Sequence, residues 1–160
     1  MMKKNRENIL IINDVRSVAN VGAMFRTADA AGIDKIYLTG YTPMPLDRFG
    51  RKRKDLTKSA LGAEQFVKWE FKRSLPALLR SLRREKYFII GIEQAENSVD
   101  YKKVKLQQKN AFIVGVEVTG IPENILQKCD IIAEIPMRGK KESLNVSVAC
   151  GIVLFRICDL

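Results

Sequence analysis

Three short segments hold the polar residues best suited to chemistry in this chain. The first, NDVRSVANVGAMFRTADAAG, contains Asn20, Gly22 and Arg26. The second, GVEVTGIPEN, sets Gly115 and Gly120 on either side of Glu117. The third, IPMRGKKESLNVSVACGIVLF, places Ser143, Asn145 and Ser147 at the mouth of an apolar run without a clean polar face. An amide inside a buried helix must find partners or cost free energy, so Asn145 is a candidate ligand contact. Ser143 reads as the cap of that helix. The glycine pair lets the backbone turn tightly and a ligand approach Glu117. An ordinary turn before a helix started by Pro122 accounts for the pair nearly as well. Asn20 and Arg26 are six residues apart and cannot share one face of a straight helix. Asn20 therefore reads as an N-cap, with Arg26 projecting from the second turn. Taken alone, the two are as readily a cap and a surface charge.

Composition removes many alternatives. With no histidine in 160 residues, Ser-His-Asp and Cys-His machinery and histidine-ligated zinc are impossible within the chain. Cys129, Cys150 and Cys158 form no C-x-x-C pair and read as reduced, buried, small apolar groups of a cytosolic protein. No dinucleotide glycine fingerprint or phosphate-binding P-loop is present, and no metal site is expected. The net charge of +10 makes a polyanion the leading partner, with nucleic acid ahead of an acidic membrane surface. The opening MMKKNRENILII has too short an apolar run for a signal peptide, and no stretch approaches a membrane span. These features predict a soluble, cytoplasmic protein.

Alternating strands and helices must position the three segments. Ile9–Asn13, Lys35–Leu38, Phe66–Phe71, Phe88–Ile92, Ala111–Gly115 and Ile131–Ile135 read as strands. Several are rich in isoleucine and valine without alternation, as in strands covered on both faces. Asn20–Ala31, Leu75–Lys86, Pro122–Lys128 and Leu144–Cys158 read as helices, with Ser74 and Pro76 starting the second. The class is α/β with a mainly parallel sheet flanked by helices, in a single domain over residues 1–160. In such sheets ligands bind beyond the carboxyl ends of the strands, where all three polar segments fall. Between the second strand and Ser59, YTPMPLDRFGRKRKDLTKS reads as a long exposed basic loop. Its cations suit a phosphate backbone, and Tyr41 and Phe49 suit stacking on a base. A solvated charge run is the other reading.

Together, in this order, the three segments resemble the motifs of the SpoU/TrmH family of RNA ribose methyltransferases, within the SPOUT superfamily. Ser-Leu-Asn-Val-Ser after Ile-Pro-Met is the most specific of them, and YLTGYTP and KSALGAE also resemble members. The resemblance implies a C-terminal deep trefoil knot, a homodimer built through the knot and last helix, and S-adenosylmethionine bound in the knot. It implies methyl transfer to a ribose 2′-hydroxyl of RNA, with transfer RNA favoured over ribosomal RNA. Arg26 would then orient the hydroxyl oxygen, with Asn20 beside it. An arginine is a poor base, its pKa being far above neutrality, so it acts as a donor. Glu117 would organise its loop and pair with Arg26 before RNA arrives. Ile135, Met137, Ser143, Leu144 and Asn145 would wrap the cofactor against a wall formed around Gly91, Ile92, Gly115 and Gly120. RNA contacts fall to Arg48, Arg51, Lys52, Arg53, Lys54 and Lys58, with Lys140 and Lys141. With Ile9 opening the first strand, RNA is expected to be gripped by this domain and its dimer partner. One departure stands out. The family commonly has asparagine before the motif acid, where this chain has Val116, so an amide contact is lost. The alternative from another class is a noncatalytic RNA-binding protein that kept the fold.

Overall fold

Neighbouring residues of the central strands are sorted to opposite sides of a sheet. In β1 (Glu7–Asn13), Leu10 and Ile12 enter one apolar cluster while Ile9 and Ile11 enter another. Phe112 and Val114 divide in the same way from Ala111 and Ile113 in β6 (Lys109–Val114). Both clusters are buried apolar cores, which explains why these strands read as continuous apolar runs. The computed structural model describes residues 6–159. Its other strands are β2 (Lys35–Thr39), β3 (Trp69–Lys72), β4 (Phe88–Ile92), β5 (Val99–Asp100) and β7 (Ile131–Glu134). Every pairing is parallel, in the order β3-β2-β1-β6-β4-β7-β5.

One face of the sheet is covered by α1 (Val18–Ala30), α2 (Lys54–Ala60) and α5 (Val146–Ile157), the other by α3 (Leu75–Arg84) and α4 (Glu123–Leu126). The reason α3 forms is local: Ser74 accepts a hydrogen bond from the Ala77 N–H at 3.3 Å, Pro76 sits in the first turn, and Leu75, Leu78, Leu79 and Leu82 are buried. After β7 the chain runs along residues 135–145 and returns in α5 to pack against α1.

Several elements differ from the sequence reading. The basic segment is a loop only as far as Arg53, because α2 begins at Lys54 and buries Leu56 and Ala60. The expected strand at Phe66 starts at Trp69, since a 3-10 turn at Ala63–Gln65 occupies the approach. Ser17 rather than Asn20 caps α1, its Oγ accepting the Asn20 N–H at 3.2 Å. Asn145 rather than Ser143 caps α5, its Oδ1 accepting the Ser147 N–H at 2.9 Å. The last helix is not buried all round. Cys150, Val153, Leu154 and Ile157 face the core, while Val148, Ile152 and Phe155 are exposed in this chain.

Candidate active site

The site begins where β1 ends. Asp14 takes a left-handed conformation with φ of 54°, turning the chain toward α1. The first N–H groups of a helix have no intrahelical acceptor and carry partial positive charge. Glu117 meets that charge from the loop after β6. Its Oε1 accepts the Ser17 N–H at 3.0 Å, and its Oε2 lies 3.4 Å from the Arg16 nitrogen. The Asn20 side-chain amide donates to Oε1 at 3.4 Å. Asn20 in turn accepts, through Oδ1, a 3.2 Å hydrogen bond from the Asn145 Nδ2. Asn145 Oδ1 then holds the Ser147 N–H and hydroxyl. A single line of side chains thus joins the three polar segments: Glu117, Asn20, Asn145, Ser147.

Burial pushes the Glu117 carboxyl up, but hydrogen bonds from its own N–H, from Ser17 and Arg16, and from the Asn20 amide outweigh that push. The net effect holds it below the ordinary glutamate range. The expected pairing of Glu117 with Arg26 is absent, because the backbone and Asn20 take both carboxylate oxygens. Arg26 projects into solvent from α1 and has no side-chain hydrogen bond or ion pair among the described residues.

Behind this line lies a cavity of about 180 Å³ at the carboxyl ends of β4, β6 and β7. Its walls require glycine. A Cβ on Gly115 would stand 2.5 Å from the Gly120 carbonyl carbon and oxygen and 2.6 Å from the Ile121 nitrogen. All three are backbone atoms. Gly120 has φ of 70°, and a Cβ there would stand 1.9 Å from Glu93 Oε2. That oxygen accepts the Ile121 N–H at 3.0 Å, so Glu93 fixes the loop to the end of β4. Val116, the departure from the family pattern, closes the turn through its carbonyl, which accepts the Gly120 N–H at 2.8 Å. Its side chain is not needed for that closure.

Among the residues expected at a cofactor, Ile92, Gly115, Gly120, Ile135, Met137, Ser143 and Leu144 line this cavity. Gly91 does not. A Cβ there would face Cys129, Leu126 and Ile121 on the α4 side of the sheet. Asn145 stands beside the cavity as helix cap and partner of Asn20. Arg48, Arg51, Lys52, Lys54 and Lys58 are exposed in the segment that follows β2, where Arg51 pairs with Asp47 at 2.9 Å and Arg53 with Asp55 at 2.8 Å. Lys140 and Lys141 are exposed on the loop before α5. Sequence reading missed Glu93, Glu134 and Ser17. Glu93 carried a usable signal, an acid directly after a predicted strand at the end where ligands bind. None of the three cysteines is in a disulfide among the described residues. Cys150 is buried, whereas Cys129 and Cys158 are only half-buried. Burial raises the thiols of Cys129 and Cys150 to about 12, which leaves neither as a nucleophile.

Fold and site together define a parallel α/β domain with a crevice at the strand ends whose size and lining suit a small ligand. The chain belongs to the SpoU rRNA methylase family, whose model matches residues 7–155. It is 33% identical over 149 residues to the 23S rRNA (guanosine(2553)-2′-O)-methyltransferase RlmP of Bacillus subtilis, covering 93% of this chain and 57% of that protein. An AdoMet-bound rRNA methyltransferase from Sinorhizobium meliloti superposes with a TM-score of 0.85 at 27% identity, over 94% of this chain and 55% of the other. The A. aeolicus TrmH/SpoU tRNA modifying enzyme gives 0.82 at 27% identity, over 96% of this chain and 75% of the other. The chain spans less than two thirds of the length of the curated relatives it matches. No helix among the described residues is long and apolar enough to cross a membrane.

Proposed function

We propose that this chain binds S-adenosylmethionine and methylates a ribose 2′-hydroxyl of RNA, working as a cytoplasmic homodimer with its C-terminal segment threaded in a trefoil knot. The observation that carries this reading is the Glu117–Asn20–Asn145 line, which locks three distant segments together at the mouth of one cavity. The cavity fits the cofactor in chemistry. Ile92, Ile135, Met137 and Leu144 give apolar walls, glycine-supported backbone lets a ligand approach closely, and the Glu93 and Glu134 carboxylates suit a cationic group. When bound, the cofactor supplies a methyl group already activated as a sulfonium.

The chain's own work is positioning. Glu117 fixes the start of α1 through the Arg16 and Ser17 N–H groups. Asn20 is held between Glu117 and Asn145, which fixes its amide where the three segments meet. Arg26, with no side-chain partner among the described residues, donates to the ribose oxygen and stabilises the negative charge that develops there. The relatives include proteins named for ribosomal and for transfer RNA, so both belong in the assay.

The dimer reading rests on α5. Val148, Ile152 and Phe155 recur at helical spacing and leave 48%, 36% and 38% of their surface exposed, with Leu144 beside them at 37%. Such a stripe is costly in water and suits a self-complementary interface. A Val148→Glu/Ile152→Glu variant should sediment as a monomer where the wild type sediments as a dimer. A wild-type monomer at assay concentration would overturn this.

The function is tested by calorimetry with S-adenosylmethionine, followed by transfer of labelled methyl to unmodified ribosomal and transfer RNA. Saturable binding and label at a ribose 2′-oxygen are expected. Tight RNA binding without transfer to either RNA would favour the noncatalytic RNA-binding alternative.

A further inference from the structure

We propose that Tyr41 and Phe49 are stacking platforms for bases of an unpaired RNA strand, so that the substrate class is single-stranded or looped RNA rather than a continuous duplex. This rests on the RNA reading above. Tyr41 leaves the carboxyl end of β2 with 78% of its surface exposed, and Phe49 has 65% exposed. Neither aromatic sits on a slack loop. The Tyr41 N–H donates to Asp14 Oδ1 at 2.8 Å, and Asp14 is itself hydrogen-bonded to the Thr39 carbonyl. Phe49 is presented by a hairpin-like turn. Asp47 Oδ1 accepts the Phe49 and Arg51 N–H groups at 2.8 and 2.9 Å, and Leu46 bridges Lys52 across it.

Each ring carries its own cations. The Arg16 guanidinium is 5.8 Å from the Tyr41 centroid, and those of Arg48 and Arg51 are 4.8 and 5.0 Å from Phe49. An exposed aromatic fixed in place matches single-strand recognition when a base displaces the guanidiniums that stand over its ring. The ring takes a base face, and the cations take the adjoining phosphates. In a duplex those base faces are already stacked and out of reach. Arg16 links the Tyr41 platform to the site: its guanidinium stands over the Tyr41 ring, and its backbone N–H is held by Glu117.

The test is fluorescence anisotropy with a labelled oligoadenylate and a labelled RNA duplex of equal phosphate content. Tyr41→Ala and Phe49→Ala should each weaken single-strand binding by about tenfold, the effect of losing one stacked base, and leave duplex binding unchanged. Tyr41→Phe and Phe49→Trp should restore it. Because no charge is altered, the salt dependence of single-strand binding should keep its slope. Alanine variants that bind the single strand like wild type overturn the proposal, as does an equal loss on the duplex or a wild type that binds neither RNA. Calorimetry with S-adenosylmethionine on the same proteins separates the two readings. A wild type that binds no cofactor ends the methyltransferase reading, and the anisotropy still decides the stacking.

Discussion

Gly115→Ala should weaken S-adenosylmethionine binding by about ten- to a hundredfold, while Gly139→Ala leaves it unchanged. Gly115 needs no unusual backbone angle. Its constraint is space, since the added carbon would press on the Gly120 carbonyl and the Ile121 nitrogen at 2.5–2.6 Å. Flexible side chains could swing away from such a clash, but these atoms belong to the turn that forms the cavity wall. The turn is pinned at both ends, by Val116 bonding to Gly120 and by Glu93 bonding to Ile121. Relief must therefore break one of those bonds and displace the wall. Overpacking of this kind costs about 1–3 kcal/mol, enough to weaken binding by about a hundredfold at the upper end. Gly139 has open space around the same position, so it controls for the chemistry of the substitution. Calorimetry gives the affinity, and thermal unfolding on the same samples shows whether the domain remains folded. Binding by Gly115→Ala within a few-fold of wild type would mean the cofactor does not use this wall.

The features that sequence conveyed are those encoded locally. Central strands were legible because Ile9–Ile12 and Ala111–Val114 are apolar at every position, and only a sheet covered on both faces uses such runs. β5 is two residues long, Val99–Asp100, and two residues have no period to read. α2 was hidden by charge. Its sequence KDLTKSA buries only Leu56 and Ala60, so the basic residues around it dominate any window. Both cap assignments failed for one reason. Ser17 and Asn20 are equally good capping types, as are Ser143 and Asn145, and the choice is made by contacts across about a hundred residues or more. Glu117 selects Ser17 by accepting its N–H, and Asn20 anchors the amide of Asn145. The site was legible as three segments through their resemblance to a family. The order in which its side chains touch was not, because the expected Glu117–Arg26 pair follows from charge alone. In the fold, the positive end of α1 reaches the carboxylate first.

That preference makes Glu117→Gln the sharpest probe of the site. The substituted side chain keeps one oxygen but turns an NH₂ toward a surface made of N–H donors, so at least one donor of Arg16, Ser17 or Asn20 loses its acceptor. Hydrogen bonds to a charged group contribute about 1.5–3 kcal/mol, so methyl transfer should fall by about ten- to 150-fold. The loss should appear in kcat. Asn20 and the start of α1 are misplaced, whereas the apolar cofactor walls at Ile92, Ile135 and Leu144 are untouched. The pH dependence adds a second signature. Because the folded protein holds the Glu117 carboxyl below its ordinary range, the ordering it provides is complete at and above that range. It is lost only as pH falls through the depressed value. Wild type should therefore show an acid limb in kcat that lies below the usual glutamate range, and Glu117→Gln should lack that limb. A variant with wild-type kcat, or one that keeps the acid limb, would remove Glu117 from the positioning of Asn20. The line joining the three segments would then be a structural brace only.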